Sequence, residues 1–164
     1  MVVRDRLVGV GGRWRLHSHG GGRQMPQQSP LTGPRLRALS ADRLRDAEVL
    51  YAAGRYDACA YMSGYVLEAA LKARIVRLLR LTEYPEKDNT FRVHDLARLS
   101  MLGGLDRDIN ANLAVKANWS VVSDWDVAWR YRPLGAVNQS EALRRLDALR
   151  DSPDGVLVWL KRRW

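Results

Sequence analysis

The stretch from residue 58 to residue 81 constrains the fold more than any other part of the sequence. It contains no proline and only one glycine, Gly64. Its apolar residues fall on most of the circumference of a helix, which is typical of a helix that other elements surround. These residues are Met62, Val66, Leu67, Ala69, Ala70, Leu71, Ala73, Ile75, Leu78 and Leu79. The pattern predicts a long central helix over 58–81, with the Asp57 side chain as its N-terminal cap.

Shorter helices are predicted on both sides of the central helix. The evidence is apolar residues three and four apart, together with the glycines and prolines that end such runs. The predicted bounds are about 33–53 with Gly54 closing the helix, 94–102, 105–119, and a last helix that runs over 141–150 from the cap Ser140 and restarts after Ser152-Pro153 to finish over 156–164. No run alternates strictly enough for a strand. The predicted fold class is all-α, a four- to five-helix antiparallel bundle with short connections.

Residues 1–34 differ in composition from the rest of the chain. They hold seven of the 13 glycines and three of the six prolines, and their apolar residues show no sustained period. Such a segment buries too little apolar surface to offset the entropy cost of ordering it. We therefore expect 1–34 to be a flexible Gly/Arg-rich tail and 35–164 to be the helical domain.

The same segment bears on localisation. Its apolar run Leu7–Val10 is too short for a secretion signal. Nowhere does an apolar run approach the roughly 18 residues that a membrane span requires. We expect a cytoplasmic protein without membrane contact.

Composition limits the chemistry that the chain can carry. There are 27 Lys and Arg against 18 Asp and Glu, so the net charge is +9, which favours anionic partners such as nucleic acid. The single cysteine, Cys59, excludes an intramolecular disulfide and a cysteine-rich zinc site. The phosphate-loop, dinucleotide-binding, zinc-protease and serine-hydrolase motifs are absent. We expect neither a metal nor a cofactor.

A polar stripe interrupts the predicted central helix. Its members recur three or four residues apart and are Asp57, Tyr61, Gly64, Tyr65, Glu68 and Lys72. Glu68 lies in the most apolar part of the helix, where a carboxylate is costly unless it is paired. One candidate partner is Lys72, one turn away. Another is a cation from a different helix, for which the candidates are His94, Arg130 and Arg132. A catalytic role for Glu68 is the third interpretation.

Gly64 lies in the middle of the predicted central helix, where glycine lowers helix stability. A close approach by another helix would explain it. That helix can belong to this chain or to a second copy.

His94 is the only histidine of the predicted domain. At a helix start it can cap or pack, and it can act as a general base only if a substrate proton lies in reach. Further along the chain, arginines alternate with aromatic residues. Such a segment can stack bases and neutralise phosphates, or its tryptophans can pack in the core. These residues are Trp119, Trp125, Trp129, Arg130, Tyr131 and Arg132.

Arg74, Arg77 and Arg80 lie near the end of the predicted central helix, where cations complement the helix dipole. They are possible phosphate contacts, and a solvated face is the alternative. Arginines of the first predicted helix can join them in one phosphate-binding surface. Those are Arg35, Arg37, Arg43 and Arg45.

Three stretches resemble the HEPN domain, a family of small helical proteins named from higher eukaryotes and prokaryotes nucleotide-binding. The most specific is the run from 53–58 (AGRYDA) into 61–73 (YMSGYVLEAALKA), which resembles a helix pair of that family. Residues 94–96 (HDL) resemble its short helix start, and 129–133 (WRYRP) resemble the segment before its last helix. The resemblance covers roughly residues 36–164.

The resemblance implies a bundle that forms homodimers and is encoded beside a minimal nucleotidyltransferase in toxin–antitoxin pairs. Many members are metal-independent RNases, whose signature is an arginine followed by a histidine after four to six residues on a helix. Residues 35–164 contain no such pair. The expected function is therefore a non-nucleolytic module that associates with a protein partner or with RNA. A metal-independent RNase toxin and a nucleotide-binding module are the alternatives.

The resemblance also implies site residues. Glu68, His94, Arg130 and Tyr131 match polar positions that recur in the family, and Lys72 joins them because it lies one turn from Glu68. His94 and Arg130 are the candidates for a catalytic role. The expected site is one polar cluster formed by these five residues.

Overall fold

The computed structural model describes residues 29–164, and the earlier part of the predicted tail lies outside the described residues. Within 29–164 there are seven α-helices, one 3-10 helix and no β-strand. The α-helices are α1 (Gly33–Ala52), α2 (Tyr56–Leu78), α3 (Leu96–Leu102), α4 (Asp106–Ala111), α5 (Leu113–Val122), α6 (Gln139–Arg150) and α7 (Val156–Lys161), and the 3-10 helix is Val127–Tyr131. The predicted all-α bundle is confirmed.

Helix α2 forms the centre of the bundle. Twelve of its 23 residues are buried, and α1, α3, α6 and α7 all pack against it. Burial on several sides accounts for the apolar residues around its circumference.

Helices α1 and α2 form an antiparallel hairpin. Pro34 stands in the first turn of α1, where its missing N–H has no intrahelical partner to lose. Gly54 turns the chain between the two helices with φ +71°, a conformation that glycine adopts without strain. The Ser40 hydroxyl of α1 donates to the Val66 carbonyl of α2 at 2.8 Å. This contact satisfies a buried polar group where the two helices cross.

Two of the predicted helix caps are wrong. Arg55 occupies the N-cap position of α2 and makes no side-chain capping bond. The Asp57 carboxylate instead accepts the backbone N–H groups of Gly135 at 2.7 Å and Val137 at 2.8 Å. Helix α6 is capped by Asn138, whose side chain accepts from the Glu141 N–H at 2.9 Å, and Ser140 lies inside the helix.

Asn112 divides the predicted helix 105–119 into α4 and α5. Its backbone is extended, with φ −109° and ψ 102°, and its side chain accepts the Val115 N–H at 3.1 Å. An asparagine side chain can replace the helical backbone as acceptor, so it ends one helix and begins the next. Together with the separate α7, this break gives more α-helices than the predicted four or five.

The close approach at Gly64 comes from an indole ring of the same chain. A Cβ placed on Gly64 would lie 2.1 Å from Trp125 Cδ2. The Trp125 Nε1 donates to the Tyr61 carbonyl at 2.9 Å, which holds the ring on α2. The expectation of an approaching helix is therefore corrected to a side chain from the segment after α5.

The end of the predicted tail belongs to the helical domain. Gly33 and Pro34 are in α1, and the Leu31 carbonyl accepts the Tyr84 N–H at 2.9 Å. None of the described helices is long and apolar enough to cross a membrane.

Gly64→Ala is expected to lower the free energy of unfolding by roughly 1–3 kcal/mol, because the new methyl group overlaps the Trp125 ring. Urea denaturation measures this loss. Combining it with Trp125→Leu should cost less than the sum of the two single changes, since the leucine leaves room for the methyl group. Additive losses would contradict the contact. Sedimentation should give an unchanged mass for Gly64→Ala, because the contact lies within one chain.

Candidate functional site

The polar stripe of α2 connects two groups of candidate residues. Near its middle, the Tyr61 and Tyr65 hydroxyl oxygens lie 2.8 Å apart. Both tyrosine rings contact the indole of Trp125, with centroids 6.0 Å and 5.0 Å away. Burial, followed by the hydrogen bond to Tyr61 and the charge of Glu68, raises the pKa of Tyr65 to about 12. Its phenol therefore stays protonated at neutral pH.

Glu68 is bound by the side chains of Lys72 and His94. It is 6% exposed, and its Oε1 accepts from Lys72 Nζ at 2.6 Å. His94 Nδ1 lies 3.0 Å from the same oxygen. The local partner and a partner from another segment are thus both present, whereas Arg130 and Arg132 make no ion pair with Glu68. Its Oε2 is buried without a hydrogen-bond partner within the part described.

The contact with Glu68 orients the His94 ring. A carboxylate can only accept, so Nδ1 carries the proton in this hydrogen bond, and Nε2 of the neutral ring is then an acceptor. The His94 side chain is 55% exposed, which leaves room for a ligand beside it. The next residue, Asp95, caps α3 by accepting the Arg98 N–H at 2.6 Å. His94 is therefore held by its neighbour at the helix start and by Glu68 across the interface.

The second group lies at the N-terminal end of α2, around a cleft of about 620 Å³. One wall is the turn and first residues of α2, and the other is the segment 129–137. The two hydrogen bonds from Gly135 and Val137 to Asp57 hold these walls together. The cationic and aromatic lining residues are Arg55, Tyr56, Tyr61, Trp129, Arg130 and Arg132.

The cleft arginines have no carboxylate partner among the described residues. Arg55, Arg130 and Arg132 are exposed, and none is in an ion pair with the carboxylates of residues 29–164. Arg130 lies over the Tyr131 ring at 5.0 Å, and Tyr131 together with Tyr61 raises its pKa. Two of these three cations, Arg130 and Arg132, lie over aromatic rings, and together the three form a surface that attracts anions.

Trp129 is fixed by arginines near its ring. The guanidinium carbon of Arg132 lies 3.5 Å from the ring centroid and that of Arg145 lies 4.5 Å away. Arg145 is only 4% exposed and binds both carboxylate oxygens of Asp124, at 2.9 Å and 3.1 Å. A bidentate pair of this kind restricts the orientation of both groups. Arg145 thus supports the aromatic wall of the cleft from behind.

The predicted five-residue cluster is divided in the structure. Glu68, Lys72 and His94 are in contact, while Arg130 contacts Tyr131 at the cleft. From Tyr61 at the cleft to Glu68 the helix rises about 10 Å, at 1.5 Å per residue. Tyr61 and Tyr65 link the two groups along the stripe.

The sequence patterns did not indicate Arg55, Tyr56 or Arg145 as site residues. The first two lie in the stretch 53–58 that resembles the HEPN family, and this resemblance was the one signal that could have identified them. For Arg145 there was none, because an arginine on an amphipathic helix usually faces solvent.

The three arginines predicted as phosphate contacts have different surroundings. Arg74 donates to the carbonyls of Gly103 at 3.1 Å and Arg163 at 2.9 Å, so it joins α2 to two other segments. Arg77 and Arg80 line a crevice of about 320 Å³ together with Arg37. Their role in phosphate binding stays a prediction. Within 29–164, His, Cys, Asp and Glu side chains form no group of three or more that could hold a metal ion.

Comparisons with family models, with curated proteins and with solved structures found no match. The resemblance to the HEPN family therefore stays an expectation from the quoted sequence stretches.

Glu68→Gln is expected to lower the free energy of unfolding by roughly 2–4 kcal/mol, because it leaves Lys72 largely buried without its anion. Thermal or urea denaturation of the single and double variants measures the coupling. Glu68→Gln with Lys72→Met should cost much less than the sum of the single losses. Arg130→Gln is the control and should be additive with Glu68→Gln. Strong coupling to Arg130, or none to Lys72, would contradict this assignment.

Proposed function

We propose that this chain is a HEPN-type helical module that binds RNA without cleaving it. The observation that carries the proposal is the cleft between 54–58 and 129–137, which is lined by three exposed arginines and by aromatic side chains. Arginines neutralise backbone phosphates, and aromatic faces stack on unpaired bases. Single-stranded RNA presents both groups together.

The size of the cleft agrees with one or two nucleotides at a time. Its volume of about 620 Å³ lies within the roughly 300–1,000 Å³ that small-molecule sites occupy. Tyr131 and Leu134 lie at this end of the molecule and are 78% and 96% exposed. Large apolar side chains this exposed are available to bases that extend beyond the cleft.

The proposal includes no cleavage, because the arginine and the histidine do not meet. A cleaving site needs a cation at the phosphate whose adjacent hydroxyl the base deprotonates. Arg130 lies at the cleft, whereas His94 is bound to Glu68, about two helical turns away along α2.

The resemblance to HEPN proteins extends the proposal to assembly. We propose that the module forms a homodimer and associates with a minimal nucleotidyltransferase in a toxin–antitoxin-like pair. Sedimentation of the purified chain tests the dimer. A small nucleotidyltransferase gene beside this one would support the second partner.

Arg130→Gln and Arg55→Gln are each expected to weaken binding of a fluorescent single-stranded RNA by about tenfold near 0.1 M salt. Each should also reduce the slope of log affinity against log salt by about one, because one phosphate contact is lost. Fluorescence anisotropy across a salt series measures both quantities. Arg107→Gln is the matched control, since Arg107 is an exposed arginine of α4 outside the cleft. Equal losses of affinity in all three variants would mean that RNA binds through the overall positive charge and not at the cleft.

A second candidate function is metal-independent RNA cleavage, and the contact between His94 and Glu68 favours it. A carboxylate that orients an exposed histidine is an arrangement suited to general base catalysis. Our proposal predicts no cleavage of single-stranded RNA above background in the presence of a chelator. Gel electrophoresis of labelled RNA provides the measurement. Cleavage that disappears in His94→Ala would establish the second candidate instead.

A further inference from the structure

A second arginine group lies at the other end of α2. The crevice of about 320 Å³ is formed by the start of α1, the last turns of α2 and the residues that follow α2. Arg37 reaches it from α1, while Arg77 and Arg80 reach it from the end of α2. The three arginines thus come from the start of α1 and the end of α2, which the hairpin brings together.

Arg80 has a backbone conformation that glycine normally occupies. Its φ is +53°, and it is the only residue other than glycine with positive φ within 29–164. The Arg80 N–H donates to the Arg77 carbonyl and the Leu81 N–H donates to the Val76 carbonyl, at 3.2 Å and 2.9 Å. This pair of bonds is the Schellman motif that ends a helix.

The ends of α1 and α3 show the same motif with glycine. Gly54 has φ +71° and Gly104 has φ +67°, and the residue after each donates back across the last turn of its helix. A side chain with a Cβ is strained in this conformation. Only at the end of α2 does an arginine replace the glycine, so the fold itself does not require the side chain there. Strained residues of this kind cluster at functional sites.

Two arginines of the crevice have no carboxylate partner among the residues that the structure describes. Neither Arg37 nor Arg80 forms an ion pair with an Asp or Glu side chain of residues 29–164. Arg77 donates to the main-chain oxygen of Trp164 at 3.1 Å, and each guanidinium has five N–H donors. Glu83 is the closest acidic residue in sequence to Arg80 and forms no such pair. The crevice therefore gathers positive charge that no side-chain carboxylate of residues 29–164 neutralises.

We infer that this crevice binds phosphate groups, and that in the full protein they belong to the RNA bound at the cleft. The second part rests on the proposed function. From Asp57 at the cleft to Arg77 at the crevice, α2 rises about 30 Å. At 3.4 Å per stacked nucleotide, a strand that touches both sites needs about nine nucleotides. Planar guanidinium forks suit phosphate oxygens better than a point charge would.

Arg80→Gly separates this role from a structural one, because glycine suits the backbone conformation. The variant should keep or raise its midpoint in urea, since the strain at the end of α2 is removed. Its affinity for a single-stranded RNA of about twelve nucleotides should fall about fivefold, with a salt slope smaller by about one. Its affinity for RNA of about four nucleotides at the cleft should not change, because that length cannot span the cleft and the crevice together. Arg77→Gln should repeat the pattern, and Arg107→Gln should leave both affinities intact.

Inorganic pyrophosphate tests the phosphate chemistry without RNA. Wild-type protein should bind it more tightly than Arg80→Gly does, measured by calorimetry at low salt. Unchanged binding of both pyrophosphate and the longer RNA in Arg80→Gly would overturn the inference. Loss of pyrophosphate binding alone would overturn the part that assigns the phosphates to RNA. Failure of the proposed function would give a different result: Arg130→Gln would then leave the affinity for the shorter RNA unchanged.

Discussion

Burial of α2 forces its polar side chains to find partners on the segments that cover it. A buried carboxylate without a partner costs several kcal/mol. The polar stripe of α2 carries Glu68, which is buried, and Asp57, which is partly buried. Asp57 takes the backbone N–H groups of Gly135 and Val137. The Glu68 carboxylate accepts hydrogen bonds from Lys72 and His94. Each requirement brings a distant segment to a definite place on the helix, and these two segments are the ones that carry the candidate residues.

The arginines show how one residue type takes different roles according to its surroundings. Arg145 is buried, binds Asp124 through two hydrogen bonds and supports Trp129. Arg74 is used by backbone carbonyls. Arg130 is exposed at the cleft without a carboxylate. The net charge of +9 therefore does not give the positive charge that an anion can reach. That charge is low where arginines are already bound, as at Arg145, and high where exposed arginines gather, as at the cleft.

Helix positions could be predicted where the backbone itself limits the choice. Gly54 and Pro34 mark the ends of α1, and the apolar run in α2 indicated its central place. The roles of the side chains were harder to predict, because a helix cap and a contact to a distant loop use the same residue type. Asp57 has the spacing of a cap, yet its partners lie in a loop far along the chain. The ring that covers Gly64 likewise comes from a segment with no helical period. The stretches that resemble the HEPN family include residues of both walls of the cleft. Their spacing in the sequence does not predict that the two walls are in contact.

The arginines at the two ends of α2 oppose the stability of the free protein and favour the ligands proposed there. Like charges that lack counterions repel, which lowers the stability of the free protein and leaves it to be regained when an anion binds. At the cleft, the only carboxylate within the lining is that of Asp57, and its oxygens already accept two N–H groups. At the crevice, the left-handed backbone of Arg80 adds a cost of about 1 kcal/mol to the repulsion. Under the proposed function, a polyanion that neutralises these arginines would offset the repulsion at both ends of α2.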